Sequence, residues 1–250
     1  VNITASGQSS VRHSGVVIKS AETWQVTEAV TGRSVILPPG TVNLQPRGDG
    51  ISMTSSLGEE RFDQRLIFSP QAKEAKLELS SLTRSGRHPA YYGSLEVANF
   101  DGDLVIVNEL GLERYLCSVV PSEMPVSFGI KALEIQAVAA RTYALRNLLA
   151  SGWRSTSAHV VDSVLSQVYN NSPENPAATA AVQATCGEIV TVNGKPVDIR
   201  FFSTSCGYTA SAHQVWADAA GDYPGTPISW LTSLPQFPGP PRDLASEEAF

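Results

Sequence analysis

The clearest periodicity in the chain runs from Ile130 to Leu148. Ile130, Leu133, Ala137, Ala140, Ala144 and Leu148 recur at steps of three and four, the spacing of a helix that buries one stripe. Ser127 is placed to cap its start and Gly152 to end it. A stripe made mostly of alanine predicts close packing with little side-chain entropy lost. Upstream, the apolar run from Tyr115 breaks at Pro121, shows one carboxylate at Glu123, and breaks again at Pro125. Both prolines fix φ and lack a donor, and Pro125 biases Met124 away from helical backbone. The pattern therefore predicts an acid held on stiff backbone just before a long helix.

Residues 1 to about 100 read differently. Val16–Ile18, Thr23–Val26, Ser34–Leu37, Arg65–Phe68, Leu77–Leu79 and Tyr91–Val97 are short β-branched or aromatic runs. Gly32, Pro38-Pro39-Gly40 and Gly48-Asp49-Gly50 punctuate them. Asp101-Gly102-Asp103 predicts a turn, and Leu104–Val107 a short buried strand. After Gly152 come a polar loop, the segment Asp162–Tyr169, and a loop from Asn170 to Pro176. Ala177–Ala184 predicts a second alanine-rich helix. Ile189–Val192 and Pro196–Phe202 flank Asn193-Gly194, a hairpin signal because Asn-Gly supplies positive φ. From Pro224 the chain reads as irregular.

Composition narrows the class. A chain of 250 residues with 42% hydrophobic residues can bury a substantial core. A net charge of −6 argues against nucleic acid, whose partners usually carry a basic face. No apolar run is long enough to span a bilayer, and no signal peptide opens the chain. The lack of an initiator Met favours a processed form of an exported protein over a cytoplasmic one.

Gln136 and Arg141 stand out in a helix of small residues. Arginine is seldom buried unpaired, so Arg141 either pairs with Glu134 or another structural acid, or lines a cleft shared with Glu123. At this point the chain resembles a known family. The blocks Asn108-Glu109-Leu110, Leu112–Leu116, Val119–Pro125, Gln136–Ala144, Asp162–Tyr169 and Phe202–Thr209, followed by Trp216, are similar to those of the stage II sporulation protein D family. The resemblance runs from about Gly93 to Leu231. It implies an α+β fold: a mixed sheet with a central alanine-rich helix, plus a β-rich N-terminal accessory region. The expected division is 1–92 for that region, as part of the main domain or accessory to it, 93–235 for the family domain, and 236–250 for an irregular proline-rich tail.

The resemblance also implies a peptidoglycan-active protein, either a lytic transglycosylase or an enhancer of a cell-wall amidase. A lytic transglycosylase cuts the MurNAc–GlcNAc bond with one carboxyl, first as acid and then as base toward the sugar's own C6 hydroxyl. The product is a 1,6-anhydro end. Glu123 suits that role if burial raises its proton affinity, with Met124, Val126 and Phe128 as apolar surroundings. The alternative reading of Glu123 is a helix cap or a partner for Arg141. Family-like blocks make Arg141, Gln136, Tyr143, Gln167, Tyr169, Ser203, Ser205 and Thr209 candidates for substrate contacts. Tyr143 and Trp216 are candidates for stacking on a sugar, and Asp162 for a supporting acid or a turn residue.

Some relatives carry Cys and His around the Asp162–Gln167 block, a zinc pattern. Here those positions hold Val161 and Ser166, and His159 and His213 alone do not make a ligand set. No metal or other cofactor is expected. Cys186 and Cys206 flank the Asn193-Gly194 hairpin toward its open end, where a disulfide is feasible. The family usually has glycine at the position of Cys206. Cys117 reads as a buried small hydrophobe. The implied partners are glycan strands, including strands stripped of stem peptides, and a cell-wall amidase, at the cell envelope or outside the cell. A structural wall-binding module is the third reading.

Overall fold

The computed structural model describes residues 1–5, 10–150, 158–202, 207–218 and 220–236. It divides into two compact units, Val1–Ile199 and Arg200–Phe250. The larger unit opens with β1 (Asn2–Ile3), β2 (Arg12–His13), β3 (Val16–Ser20), β4 (Trp24–Glu28), β5 (Ser34–Leu37), β6 (Gly40–Arg47) and β7 (Gly50–Ser55). β8 (Gly58–Phe62), β9 (Arg65–Pro70), β10 (Leu77–Leu79), β11 (Ala90–Tyr91), β12 (Ser94–Phe100) and β13 (Asp103–Glu109) follow. They form two sheets. One has the order β1-β13-β12-β9-β4-β5, with β2 also paired to β13; the other is β11-β10-β3-β6-β7-β8. Each named strand pair is antiparallel, and a parallel bridge joins Asn2 to Val161.

The strands form where they do because alternate residues are apolar. Trp24 and Val26, Leu66 and Phe68, Leu95 and Val97, and Leu104 and Ile106 are all buried, with more accessible residues between most of them. Val16, Ile18, Val42, Leu44, Ile51 and Met53 do the same in the second sheet, and both sheets feed one continuous core. The rings of Trp24 and Phe68 meet at 5.8 Å, and the indole N–H donates to the Pro38 carbonyl at 2.9 Å. The predicted turn between β12 and β13 is a two-residue loop. Asp101 and Gly102 both take positive φ, as a hairpin with right-handed strand twist requires. Gly93 has φ of 75°, and a Cβ there would stand 2.1 Å from the Glu109 carbonyl oxygen. The expected boundary at 92/93 falls inside this unit, because β12 and β13 pair within the same sheet as β1, β4 and β9.

Three helices follow: α1 (Leu112–Glu123), α2 (Ile130–Leu149) and α3 (Pro176–Ala184). The fold is α+β. Two helix boundaries differ from expectation. Pro121 does not break the apolar run; it lies inside the last turn of α1. So near a C-terminus a proline forfeits one internal hydrogen bond, and the buried residues Tyr115 to Val120 hold the helix together. Met124, biased to extended backbone as expected, closes it. Ser127 does not cap α2. It lies in a short 3-10 turn, Val126–Phe128, and the N-cap is Gly129 with φ of 88°. α2 ends at Leu149, and the expected stop at Gly152 lies outside the described residues. Asn175 caps α3 through its side chain at 2.9 Å, with Pro176 at the first helical position. The Asn193-Gly194 hairpin is present but shorter than predicted, pairing β14 (Thr191–Val192) with β15 (Lys195–Pro196).

The smaller unit carries a 3-10 turn at Ala212–Gln214 and a loop ordered by Asp218. That carboxylate accepts the amides of Ala220 and Asp222 and the hydroxyl of Thr226.

Replacing Phe68 with Ala should cost about 3–5 kcal/mol of stability by urea unfolding, because it leaves a cavity at the centre of the larger sheet. Val30→Ala, at a position 73% exposed, should stay within about 0.5 kcal/mol.

Candidate functional site

The structure places Glu123 as the last residue of α1, half-buried. Its Oε1 accepts the backbone N–H of Val168 at 2.5 Å. Burial raises its pKa above the ordinary glutamate range, and the Val168 N–H pulls in the opposite direction. Of the three expected apolar neighbours, Met124 and Val126 pack against the core, whereas Phe128 is 65% exposed. Val164 and Leu165, in the segment that supplies Val168, are also exposed, at 83% and 72%.

That segment is a closed loop. Ser166 N–H bonds the Ser163 carbonyl at 2.9 Å, Tyr169 N–H the Asp162 carbonyl at 3.3 Å, and Ser166 Oγ accepts from Val161 N–H at 3.1 Å. Its inward side chains are fully engaged. Gln167 is completely buried; it accepts from Tyr115 Oη at 3.2 Å and donates to the Ala140 carbonyl at 3.4 Å. Tyr169 is buried against Tyr115 and Tyr91, and its hydroxyl donates to Asn108 at 2.8 Å. Burial drives the phenols of Tyr115 and Tyr169 upward, so both stay neutral donors. Gln167 and Tyr169, expected as sugar contacts, have their polar atoms occupied inside the protein. They hold the loop against α1 and α2 instead.

Arg141 is likewise engaged inside the protein. Its Nε and Nη2 form a fork on Glu113 at 2.7 Å each. The remaining donors go to the carbonyls of Glu188 and Val182 at 3.0 and 3.2 Å, and to Thr185 Oγ1 at 3.5 Å. All five N–H groups of a guanidinium are thereby spent. The structural acid is Glu113, while Glu134 pairs with Lys131. Glu113 opens α1 and Glu123 closes it, about 15 Å apart along the axis, so Arg141 leaves the Glu123 carboxyl unperturbed. The Arg141 fork holds the Glu113 carboxyl below its ordinary range, against the opposing effect of burial.

The other candidates divide. Gln136 is buried on α2, and its amide nitrogen has no hydrogen-bond partner among the described residues. Tyr143 is half-buried and packs on the core. Asp162 is completely buried and ion-paired to Arg84 at 3.2 Å, so it is not a supporting acid open to substrate. Thr209, in the smaller unit, bonds Thr232 and Leu234 of that unit. Trp216 there is exposed, with the Arg200 guanidinium 5.0 Å from its ring. Ser203, Ser205 and Cys206 lie outside the described residues. Cys186 is exposed and unbridged. Cys117 is buried, and burial pushes its thiol up, which suits a packing role. Among the described residues, cavities of about 660 and 430 Å³ open on the larger unit. Glu123 lines neither. Sequence reasoning missed the Val168 amide, because a backbone donor has no residue-type signature. No group of three or more metal-binding side chains converges among the described residues.

Comparison with known proteins places these elements in context. Residues 100–192 match the family model SpoIID, described as stage II sporulation protein. The chain is 35% identical over 145 residues to the stage II sporulation protein D of Bacillus amyloliquefaciens, covering 52% of this chain and 42% of that protein. It is 33% identical over 155 residues to its counterpart in Bacillus subtilis (strain 168), covering 56% and 45%. It is also 33% identical over 125 residues to the amidase enhancer of Bacillus subtilis (strain 168), covering 48% of this chain and 17% of that protein. The chain thus spans less than half the length of the curated relatives it matches.

Two measurements check this site. Arg141→Ala should lower stability by about 3–5 kcal/mol, because it strands buried carbonyls and a carboxylate. The Glu113 pKa is depressed in the fold, so that loss should be largest at neutral pH and shrink as pH falls through the acid range. Glu123 has the opposite sign. Its raised pKa means the ionised form burdens the fold above that pKa, so Glu123→Gln should match or exceed wild-type stability at pH 7. The difference should fade as wild-type Glu123 protonates.

Proposed function

This chain belongs, over residues 100–192, to the stage II sporulation protein family, and we propose on that footing that it is a lytic transglycosylase of peptidoglycan. The observation that carries the reading is the Glu123 carboxyl, half-buried at a helix end with raised proton affinity. In the protonated form, Glu123 gives its proton to the oxygen between MurNAc and GlcNAc as the bond to the anomeric carbon breaks. The resulting carboxylate takes the proton of the MurNAc C6 hydroxyl as that oxygen closes on the anomeric carbon. One bond breaks, one forms, the proton returns to Glu123, and no water is consumed. A single carboxyl suffices, in contrast to the paired carboxylates of ordinary glycosidases.

The Val168 N–H serves the second half of this cycle, since it stabilises the carboxylate that must act as base. The exposed apolar side chains of Phe128, Val164 and Leu165 would lie against the apolar faces of a glycan strand. Gln136, whose amide nitrogen finds no partner among the described residues, is the remaining polar candidate on α2. Glycan strands as substrate and an envelope or extracellular setting follow from the same reading.

A second reading is a non-catalytic enhancer that keeps the fold and acts through an amidase. The similarity to an amidase enhancer favours it.

Mass spectrometry of glycan digested by wild type and Glu123→Gln separates the two. Transglycosylase action gives 1,6-anhydro-muramic ends that fall by about 10²–10⁴-fold in the variant. Amidase stimulation without glycan cleavage, unchanged by Glu123→Gln, supports the enhancer and overturns the first reading. Activity should decline as pH rises through the raised Glu123 pKa, because the acid form is lost.

A further inference from the structure

We propose that Thr4, Arg84, Arg87 and Asp162 form a positioning clamp, built largely from the N-terminal β region, that sets the Val168 amide against the Glu123 carboxylate. Nothing in the mechanism above uses these four residues, and Thr4, Arg84 and Arg87 lie outside the segment matched by the family model. Asp162 and Arg84 are nevertheless among the most deeply buried charged side chains of the larger unit, at 0% and 3% exposure.

The contacts form one connected set. Thr4 donates its amide and its hydroxyl to Asp162 Oδ1 at 2.9 and 2.7 Å. Arg84 Nη2 reaches Asp162 Oδ2 at 3.2 Å, Thr4 Oγ1 at 2.9 Å and the Thr4 carbonyl. Backbone bonds run alongside: Asn2 N–H to the Val160 carbonyl at 2.7 Å, and Asp162 N–H to the Asn2 carbonyl at 3.0 Å. The far end of the loop is held from the same turn. Arg84 and Arg87 exchange backbone bonds, and Arg87 Nη2 donates to the Asn170 carbonyl at 2.8 Å and to its side chain at 3.2 Å. Arg84 therefore grips where the loop begins and Arg87 where it ends. Between them, the Asp162 carbonyl accepts the Tyr169 N–H, and the preceding amide, Val168, points at Glu123.

A buried ion pair of this kind adds little stability over apolar packing, and removing one partner is costly. What it supplies is orientation, since each acceptor fixes a direction. The ionisable groups around the loop include Glu123 and Tyr115 on α1, Tyr169 within it, Tyr91, Arg87, Glu174 and the Arg84–Asp162 pair, with His13 and the Val1 amine facing Asp162. The catalytic consequence rests on the function proposed above. The clamp itself does not.

The test follows the Val168 amide by NMR in the ¹⁵N-labelled protein. Wild type, Thr4→Val and Arg87→Met are compared with Leu44→Ala, a core variant in β6 away from the clamp. In Thr4→Val and Arg87→Met, Val168 exchange should rise tenfold or more relative to amides of β9 and β12. Its pH-dependent shift, which reports Glu123 ionisation, should collapse. Leu44→Ala should leave that shift intact. The proposal is overturned if Val168 keeps its protection and titration in both clamp variants, or if Leu44→Ala disturbs them equally. Glycan digestion in parallel should show a reduced kcat at unchanged KM. Wild type that cleaves no glycan would remove the enzymatic reading, while the amide data would still decide the clamp.

Discussion

The bond between the Val168 amide and the Glu123 carboxyl joins the end of α1 to the loop that follows α2, and two opposing influences meet there. Burial at the end of α1 favours the neutral acid, and the N–H favours the anion. Loss of the first would leave an ordinary surface glutamate; loss of the second would leave a half-buried carboxylate without a backbone donor. The closed loop from Asp162 to Tyr169 exists in this geometry because Gln167 and Tyr169 turn inward and find partners on α1, α2 and β13. The middle residue, Val168, is thereby left with its amide facing the acid.

The helices are organised by a different charge. Arg141 fastens α2 to the start of α1 through Glu113 and to the end of α3 through main-chain carbonyls. A cation over the last carbonyls of a helix is also favoured by its dipole. Because α1 is a single rigid element, holding its first turn in place fixes the position of its last. Arg141 thus contributes to the site from about 15 Å away, without lying in it.

Much of this was legible in the chain. The period of α2, the alternation of the strands, the Asp101-Gly102 turn and the Asn193-Gly194 hairpin are local signals, and local physics decides them. Glu123 was legible because an isolated acid among prolines and apolar residues is unusual. What the chain did not disclose has a shared cause. Arg141, Gln167 and Tyr169 are polar residues in family-like blocks, and such blocks mark a buried structural network as readily as a binding surface. Only the partners distinguish the two, and Glu113, Asn108 and Ala140 are remote in sequence. Pro121 misled for another reason: a proline rule written for isolated helices yields to the packing of Tyr115–Val120. The pairing of Thr4 and Arg84 with Asp162 spans residues 158 and 78 positions apart, beyond any local pattern.

The hairpin of β12 and β13 bears on how this domain can be inherited. Phe100, where the family-model match begins, is the final residue of β12, and β13 lies between that strand and the N-terminal β1 and β2. A gene fusion that moved only the matched segment would carry β13 with both edges unpaired, a template for pairing with other chains. Val1–Ile199 is thus one interleaved body, in which β1, β2 and β12 cover the edges of β13.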